Sequence, residues 1–265
     1  MKTCVPAAVL SLCLLLLTIV PAPAQTHLIW SDEFDGAAGT PPDPAKWTFD
    51  LGAGGWGNHE LERYMDARTN VEQDGRGHLV IRATRSRTGE FESARIKTQD
   101  RFSFTYGRVA ARLKLPRGQG MWPAFWMLGN DIKTAGWPQC GEIDIIENIG
   151  REPGTIHGTV HGPGYSGAHG IGASFVFEKP ESPSDSYHVY AVDWRVNRMD
   201  FLVDGVAYQT ITPEKLPAGA KWVYDHPFFL LVNLAVGGSW PGAPDASTVF
   251  PQELSVDWVR VYSNQ

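Results

Sequence analysis

Residues 108–115 read RVAARLKL. Val109, Ala111, Leu113 and Leu115 fall on one side of this run and Arg108, Ala110, Arg112 and Lys114 on the other, the alternation of a half-buried strand. The same period recurs outward from it. Residues 189–211, VYAVDWRVNRMDFLVDGVAYQTI, hold three short β-rich runs, and Asp204-Gly205 supplies the positive-φ pair of a two-residue hairpin turn. FFLLVNLAV (228–236) is apolar on both faces, as a strand between two layers must be, and LSVDWVRVY (254–262) alternates again. Gly and Pro punctuate throughout, no long amphipathic helix is visible, and TPEKL (212–216) is at most one helical turn. Short strands joined by Gly-rich turns predict an all-β chain, a sandwich of two antiparallel sheets or a barrel.

The first 24 residues read differently. A basic start (Met1-Lys2), an apolar run from Pro6 to Val20 and the small residues Ala22-Pro23-Ala24 have the layout of a secretory signal peptide. The alternative, a membrane anchor, asks for about 20 apolar residues, and the run is short for that. No lipidation box precedes Gln25. The expectation is therefore an exported chain, extracellular or periplasmic, with residues 25–265 forming a single domain. Cys4 and Cys13 leave with the signal, so Cys140 has no partner for an internal disulfide. Roughly 240 remaining residues suffice for a core without such staples. The formal net charge of -6, one unit more negative once Lys2 is gone, gives no reason to bind nucleic acid and would repel a polyanion at long range. After signal removal no membrane partner is expected, and the simplest reading is a monomer. Ten tryptophans belong in a large core or along a groove.

GEIDIIENIG (141–150) crowds three carboxylates, Glu142, Asp144 and Glu147, into six positions. On a strand Glu142 and Asp144 share a face while Ile143 and Ile145 point inward. Parity would put the next acid at 146; instead Ile146 is apolar and the acid follows. A β-bulge around Ile145-Ile146 restores Glu147 to the face of the other two. Glu142 and Glu147 are then separated by roughly 13 Å at Cα, at about 3.3 Å per step. Side chains leaning together would bring their carboxyls to about 5–6 Å, nearer the about 5–5.5 Å of retaining glycosidases than the about 6.5–9.5 Å of inverting ones. One carboxyl must be ionised and the other protonated at working pH. Glu142 as nucleophile and Glu147 as acid/base is one assignment, with Asp144 between them setting the orientation of Glu142; spacing alone also permits the reverse. A calcium site or a solvated acidic face are the bland readings, although calcium prefers a flexible loop with carbonyl ligands.

Glu-Ile-Asp-Ile-Ile-Glu resembles the ExDxxE signature of glycoside hydrolase family 16, in the bulged form of laminarinase-type endo-1,3-β-glucanases. Further segments resemble that family in its order: WSDEFDG (30–36), GNHELERY (57–64), YGRVAARLKLP (106–116), MWPAFWMLG (121–129), TIHGTVHG (155–162), YHVYAVDW (187–194), LLVNLAVGGSWPG (230–242) and VDWVRVY (256–262). The resemblance implies a β-jelly roll with a concave substrate cleft and retaining hydrolysis of β-glucans through a covalent glycosyl-enzyme. It implies Glu142 as nucleophile, Asp144 as its assistant and Glu147 as acid/base. The bulged signature argues against the lichenase and xyloglucan branches, which carry ExDxE. Hydrolysis of 1,3-1,4-β-glucan or of a galactan, as in agarases and carrageenases, is the rival activity, and a non-catalytic glucan-binding recognition protein the rival class.

For binding, Asn58 in GNHE resembles a residue that hydrogen-bonds sugar hydroxyls. Trp122 and Trp126, four apart, share a face if their segment is a strand, where indoles can stack on sugar C–H faces; Pro123 warns of irregularity. Trp240, in a Gly-rich loop, is a further sugar platform. His157 and His161 share a face of TIHGTVH, and an antiparallel return after Gly150–Gly154 sets His161 opposite Glu142, within reach of Asp144 or a substrate hydroxyl. His157 reads as structural and Cys140 as an inert buried thiol. The resemblance also implies a structural calcium on the convex side, with Glu33 and Asp257 as ligands, and no cofactor for the chemistry.

Overall fold

The computed structural model describes residues 26–178 and 181–264. The expected signal peptide and the cysteines within it lie outside that range. Two sheets stack face to face. In the first, the strands Val206–Ile211, Arg198–Val203, His188–Arg195, Gly107–Lys114, Gln252–Asn264, Leu79–Arg85, Phe91–Ser93 and Glu62–Tyr64 follow one another, with Thr26–Asp32 added against Gln252–Asn264 and Val71–Gln73 against Leu79–Arg85. In the second the order is Ile171–Val176, Thr155–His161, Glu142–Glu147, Met121–Gly129, Phe228–Val236, Arg95–Lys97 and Thr48–Asp50. The described pairings are antiparallel except that of Glu62–Tyr64 with Phe91–Ser93.

RVAARLKL behaves as its alternation demands. Val109, Ala111 and Leu113 enter the space between the sheets, while Arg108, Arg112 and Lys114 keep solvent contact. Ala110 departs from the pattern: it faces outward yet is buried with Ala191 and Leu202, with Val189 and Trp258 packed against them. Asp204 and Gly205 take φ of 49° and 81° between paired Val203 and Val206, the expected hairpin turn. All nine residues of Phe228–Val236 are buried: the strand sits mid-sheet with one face in the core, and on its other face Phe229 and Leu231 pack with Leu128 and Cys140. TPEKL supplies a single 3-10 turn, Pro213–Lys215.

Between the sheets runs one continuous apolar cluster, contributed by Leu113 and Val109 from one layer and by Phe125, Ile143 and Val232 from the other. Aromatic rings close one end of it: Trp194 meets Phe104, Tyr106 and Phe228 edge-on. Of the tryptophans, Trp47 and Trp194 are wholly buried, and Trp122, Trp126 and Trp240 are partly buried. Cys140 is buried and unpaired, and burial pushes its thiol up to about 11, so it stays protonated and inert at neutral pH. Among the described residues no helix is long and apolar enough to cross a membrane.

Candidate active site

The strand Glu142–Glu147 lies between Met121–Gly129 and Thr155–His161, and both neighbours register the same irregularity. Against Thr155–His161, Glu142 pairs with His161, Asp144 with Thr159 and Glu147 with His157. Two residues, Ile145 and Ile146, thus oppose the single Gly158. Against Met121–Gly129, Asp144 pairs with Trp126 and Ile146 with Phe125. This is the bulge that the sequence parity called for. It lets Ile143, Ile145 and Ile146 all sink into the core while the three acids share the outer face of the sheet. Gly141 precedes them at φ 71°, a conformation open to glycine at little cost, with Phe228 and Val223 within about 3 Å of where a Cβ would stand.

Each acid has its own partners. Glu142 Oε2 accepts a hydrogen bond from Trp137 Nε1 at 2.8 Å, and Glu142 Oε1 lies 3.8 Å from His161 Nε2. Asp144, only 3% exposed, has Oδ2 3.1 Å from His161 Nε2, but that contact is not aligned as a hydrogen bond and the oxygen has no other partner. Glu147 Oε1 accepts from Trp122 Nε1 at 2.9 Å. Three carboxyls in one water-poor site cannot all ionise cheaply, and every one is pushed upward. Burial is the main cause for Glu142, at about 8, with Asp144 adding repulsion; His161 and the Trp137 N–H oppose it. Burial likewise raises Asp144. Glu147 is driven well above the carboxylate range by burial and then by Asp144 and Glu142.

His161 stands opposite Glu142, as the strand return predicted, and it touches both Glu142 and Asp144. Its backbone carbonyl accepts from Tyr224 Oη at 2.9 Å. The ring rests on Gly170, where a Cβ would come within 2.4 Å of His161 Cε1, so any larger residue there would displace the imidazole. His157 is tied to Ser174 Oγ at 3.0 Å and lies edge-on to Trp240, and burial lowers its affinity for a proton. Its neutral ring is a support for Trp240, in keeping with the structural reading.

Trp122 and Trp126 do share the outer face of Met121–Gly129, and the strand runs through Pro123 without losing register against Phe228–Val236. Trp122 meets Trp240 edge-on at 5.7 Å, which joins the Gly-rich loop to the strand carrying Glu147's partner. Trp126 is more committed than the sequence suggested: Arg95 lies over its ring at 4.6 Å, and Nε1 donates to Asn233 Oδ1 at 2.7 Å. From there a polar chain runs outward, Asn233 Nδ2 to Tyr64 Oη, Tyr64 Oη to Glu60, and Asn58 Nδ2 to Glu60 Oε1. Asn58 is exposed at the far end of this chain, in the loop that also accepts Ser239 N on the Asn58 carbonyl. Asn58 and Trp126 are thus mechanically connected across three strands. Trp137, which sequence reasoning passed over, is 47% exposed and belongs with the carboxylates through its bond to Glu142. Its one signal was position, an aromatic five residues ahead of the first acid.

Glu33 and Asp257 do not suit a calcium ion as they stand. Glu33 is held by Arg260 through two hydrogen bonds of 3.0 and 2.7 Å, and Asp257 is paired with Arg112. Each carboxylate already has a guanidinium, and among the described residues neither belongs to a cluster of three acids or histidines, whereas calcium takes six to eight oxygens.

The comparisons with known proteins agree with this layout. The β-glucanase of Rhodothermus marinus is 42% identical over 246 residues, spanning 89% of this chain and 85% of that protein. The catalytic domain of an endo-1,3-β-glucanase (laminarinase) from Thermotoga petrophila RKU-1 superposes with a TM-score of 0.85 at 42% identity, covering 92% of this chain and all of that one. The endo-β-1,3-glucanase of Pyrococcus furiosus gives 0.84 at 45% identity, covering 91% of this chain and 95% of that one. The two-layer arrangement is accordingly the jelly roll of those enzymes. Residues 59–260 match the family described as glycosyl hydrolases family 16, and the chain belongs to that family.

Proposed function

We propose that this chain is a secreted, endo-acting, retaining β-glucanase that hydrolyses laminarin-like 1,3-β-glucan by double displacement. Glu142 attacks the anomeric carbon as the glycosidic C–O bond breaks, and Glu147 gives its proton to the departing oxygen. Glu147, now ionised, then takes a proton from water as the water oxygen attacks the same carbon, and Glu142 leaves as a carboxylate. The observation that carries this reading is the bulge that sets both glutamates and Asp144 on one face with separate partners.

The roles rest on environment. Burial and the two neighbouring acids push Glu147 well above the carboxylate range, as befits the group that must hold a proton. Glu142 has the indole N–H of Trp137 and the imidazole of His161 to favour its anion. Asp144, buried between them, can carry the proton that three crowded carboxyls must retain, and so leave Glu142 charged. Trp122, Trp240 and Trp126 offer indole edges and faces for glucose rings, with Asn58 and His161 for hydroxyls. The chemistry needs two carboxyls and water, and no cofactor enters it. Support for the 1,3-linkage comes from what the T. petrophila and P. furiosus relatives are named for, together with the bulged signature.

The test is release of reducing ends from laminarin, lichenan, agarose and carrageenan by the purified chain. Laminarin should be cut fastest, into internal fragments, with the β-anomer formed first by proton NMR. No release from laminarin removes the substrate assignment, and an α-anomer first removes double displacement. Sizing of the protein recovered from culture medium, with N-terminal sequencing, checks export, cleavage after Ala24 and the monomer.

A further inference from the structure

Glu142, Asp144 and His161 offer one ligand atom each, all within 4.8 Å of one another. The edges of that triangle are informative. Asp144 Oδ2 lies 3.1 Å and Glu142 Oε1 3.8 Å from the same imidazole nitrogen, Nε2 of His161. Ligands bound tetrahedrally at about 2.0–2.1 Å stand about 3.3 Å apart, so the two edges at His161 lie within about half an ångström of that spacing, and the Glu142–Asp144 edge, within 4.8 Å, would close by rotation of the longer Glu142 side chain. A second observation points the same way. Asp144 Oδ2 is deeply buried, faces the nitrogen, and has no hydrogen-bond partner, a condition that is costly for a buried polar oxygen. A cation would satisfy it.

The donor set also selects the ion. One imidazole and two carboxylates in a water-poor corner suit a borderline transition dication and leave one position not filled by a protein ligand, the arrangement of three protein ligands found in open zinc sites. Calcium would want six to eight oxygens where this corner offers two, and magnesium an octahedron with several waters. We propose that this corner binds one Zn²⁺ ion, held by Glu142, Asp144 and His161, and that occupancy blocks the enzyme because it takes the oxygen Glu142 needs for attack. The blocking half rests on the catalytic reading given above; the binding half does not.

Calorimetric titration of EDTA-treated, dialysed full-length protein with ZnCl₂ reads binding without reference to turnover. One ion per chain is expected, with Mg²⁺ and Ca²⁺ giving no heat at the same concentrations. His161→Asn and Glu142→Gln should each weaken the site at least about tenfold, the loss that even outer-sphere partners of a metal can cause. Thermal melting reports whether each variant folds, and if His161→Asn does not, Glu142→Gln carries the test. Absence of binding at millimolar Zn²⁺, or affinity kept by a folded variant, overturns the site. Against wild-type laminarin hydrolysis, Zn²⁺ should inhibit reversibly, EDTA should restore the rate, and excess laminarin should protect. Binding without inhibition overturns the blocking half, whereas binding by a protein that never cuts laminarin leaves the zinc site standing and removes the substrate assignment instead.

Discussion

Trp137→Phe removes one atom pair from the site and keeps the flat ring. The lost contact is the 2.8 Å bond from Nε1 to Glu142 Oε2. A hydrogen bond to a charged group contributes about 1.5–3 kcal/mol, and because Trp137 is half exposed, water can replace part of it. The lower end applies, about 1.5 kcal/mol, which is roughly a tenfold loss in kcat/KM if the bond persists into attack. The pH profile carries the sharper signature. The indole N–H lowers the Glu142 pKa, which burial and Asp144 hold up at about 8. Without the donor it rises further. Attack requires ionised Glu142, so the acid limb of kcat/KM, which reports the free enzyme, must move to higher pH. The penalty is then largest on the acid side and shrinks toward the alkaline side. Initial rates on laminarin from pH 4 to 10 measure both quantities. A profile that keeps its acid limb, with kcat/KM within twofold at every pH, would refute the argument that this indole tunes the nucleophile.

Three further outcomes are expected. Glu147→Ala should lose about 10²–10⁴ in kcat on laminarin, and with an activated aryl glucoside plus azide it should give the β-glycosyl azide, whereas Glu142→Ala should give the α-azide; exchanged products by NMR would reverse the two roles. Asp32→Ala should destabilise the fold by about 2 kcal/mol, or about 4–8 °C in Tm by calorimetry, because buried Asp32 accepts Trp47 Nε1 at 2.7 Å and Lys46 Nζ at 3.2 Å; an unchanged Tm would show that this bond contributes nothing. Glu62, buried and accepting Val236 N at 2.7 Å, is raised to about 8 by burial and Glu60. A folded pKa above the unfolded one gives stability that is full below about 4.5 and lost as pH rises toward about 8. Glu62→Gln should therefore gain Tm relative to the wild type at pH 8 and not at pH 4, and equal shifts at both would contradict a protonated Glu62.

What could be read from the residues is what backbone periodicity encodes. The bulge was legible because a two-residue step between Glu142 and Asp144 cannot become a three-residue step to Glu147 on one face unless a strand gains a residue. His161 could be placed by counting back along the return strand, since antiparallel register carries position across a sheet. Neither inference needed side-chain geometry. The parts that stayed hidden depend on contacts with no period. Trp137 reaches Glu142 from an irregular loop, so its distance in sequence says nothing of where its N–H points. Glu33 finds Arg260 across 227 positions, and Asp257 finds Arg112 across 145, so sequence alone could not reveal that these acids were already paired. Trp126 shows the middle case. Its face was predictable from strand parity, but parity cannot say that Arg95 and Asn233 would claim the ring and its N–H. A strand fixes which way a side chain leaves the backbone, whereas its neighbours decide what remains free to meet a substrate. In this site the two carboxylates proposed to do the chemistry are set by the strand, and the groups that tune them come from elsewhere: Trp137 from a loop, His161 and Trp122 from the strands on either side.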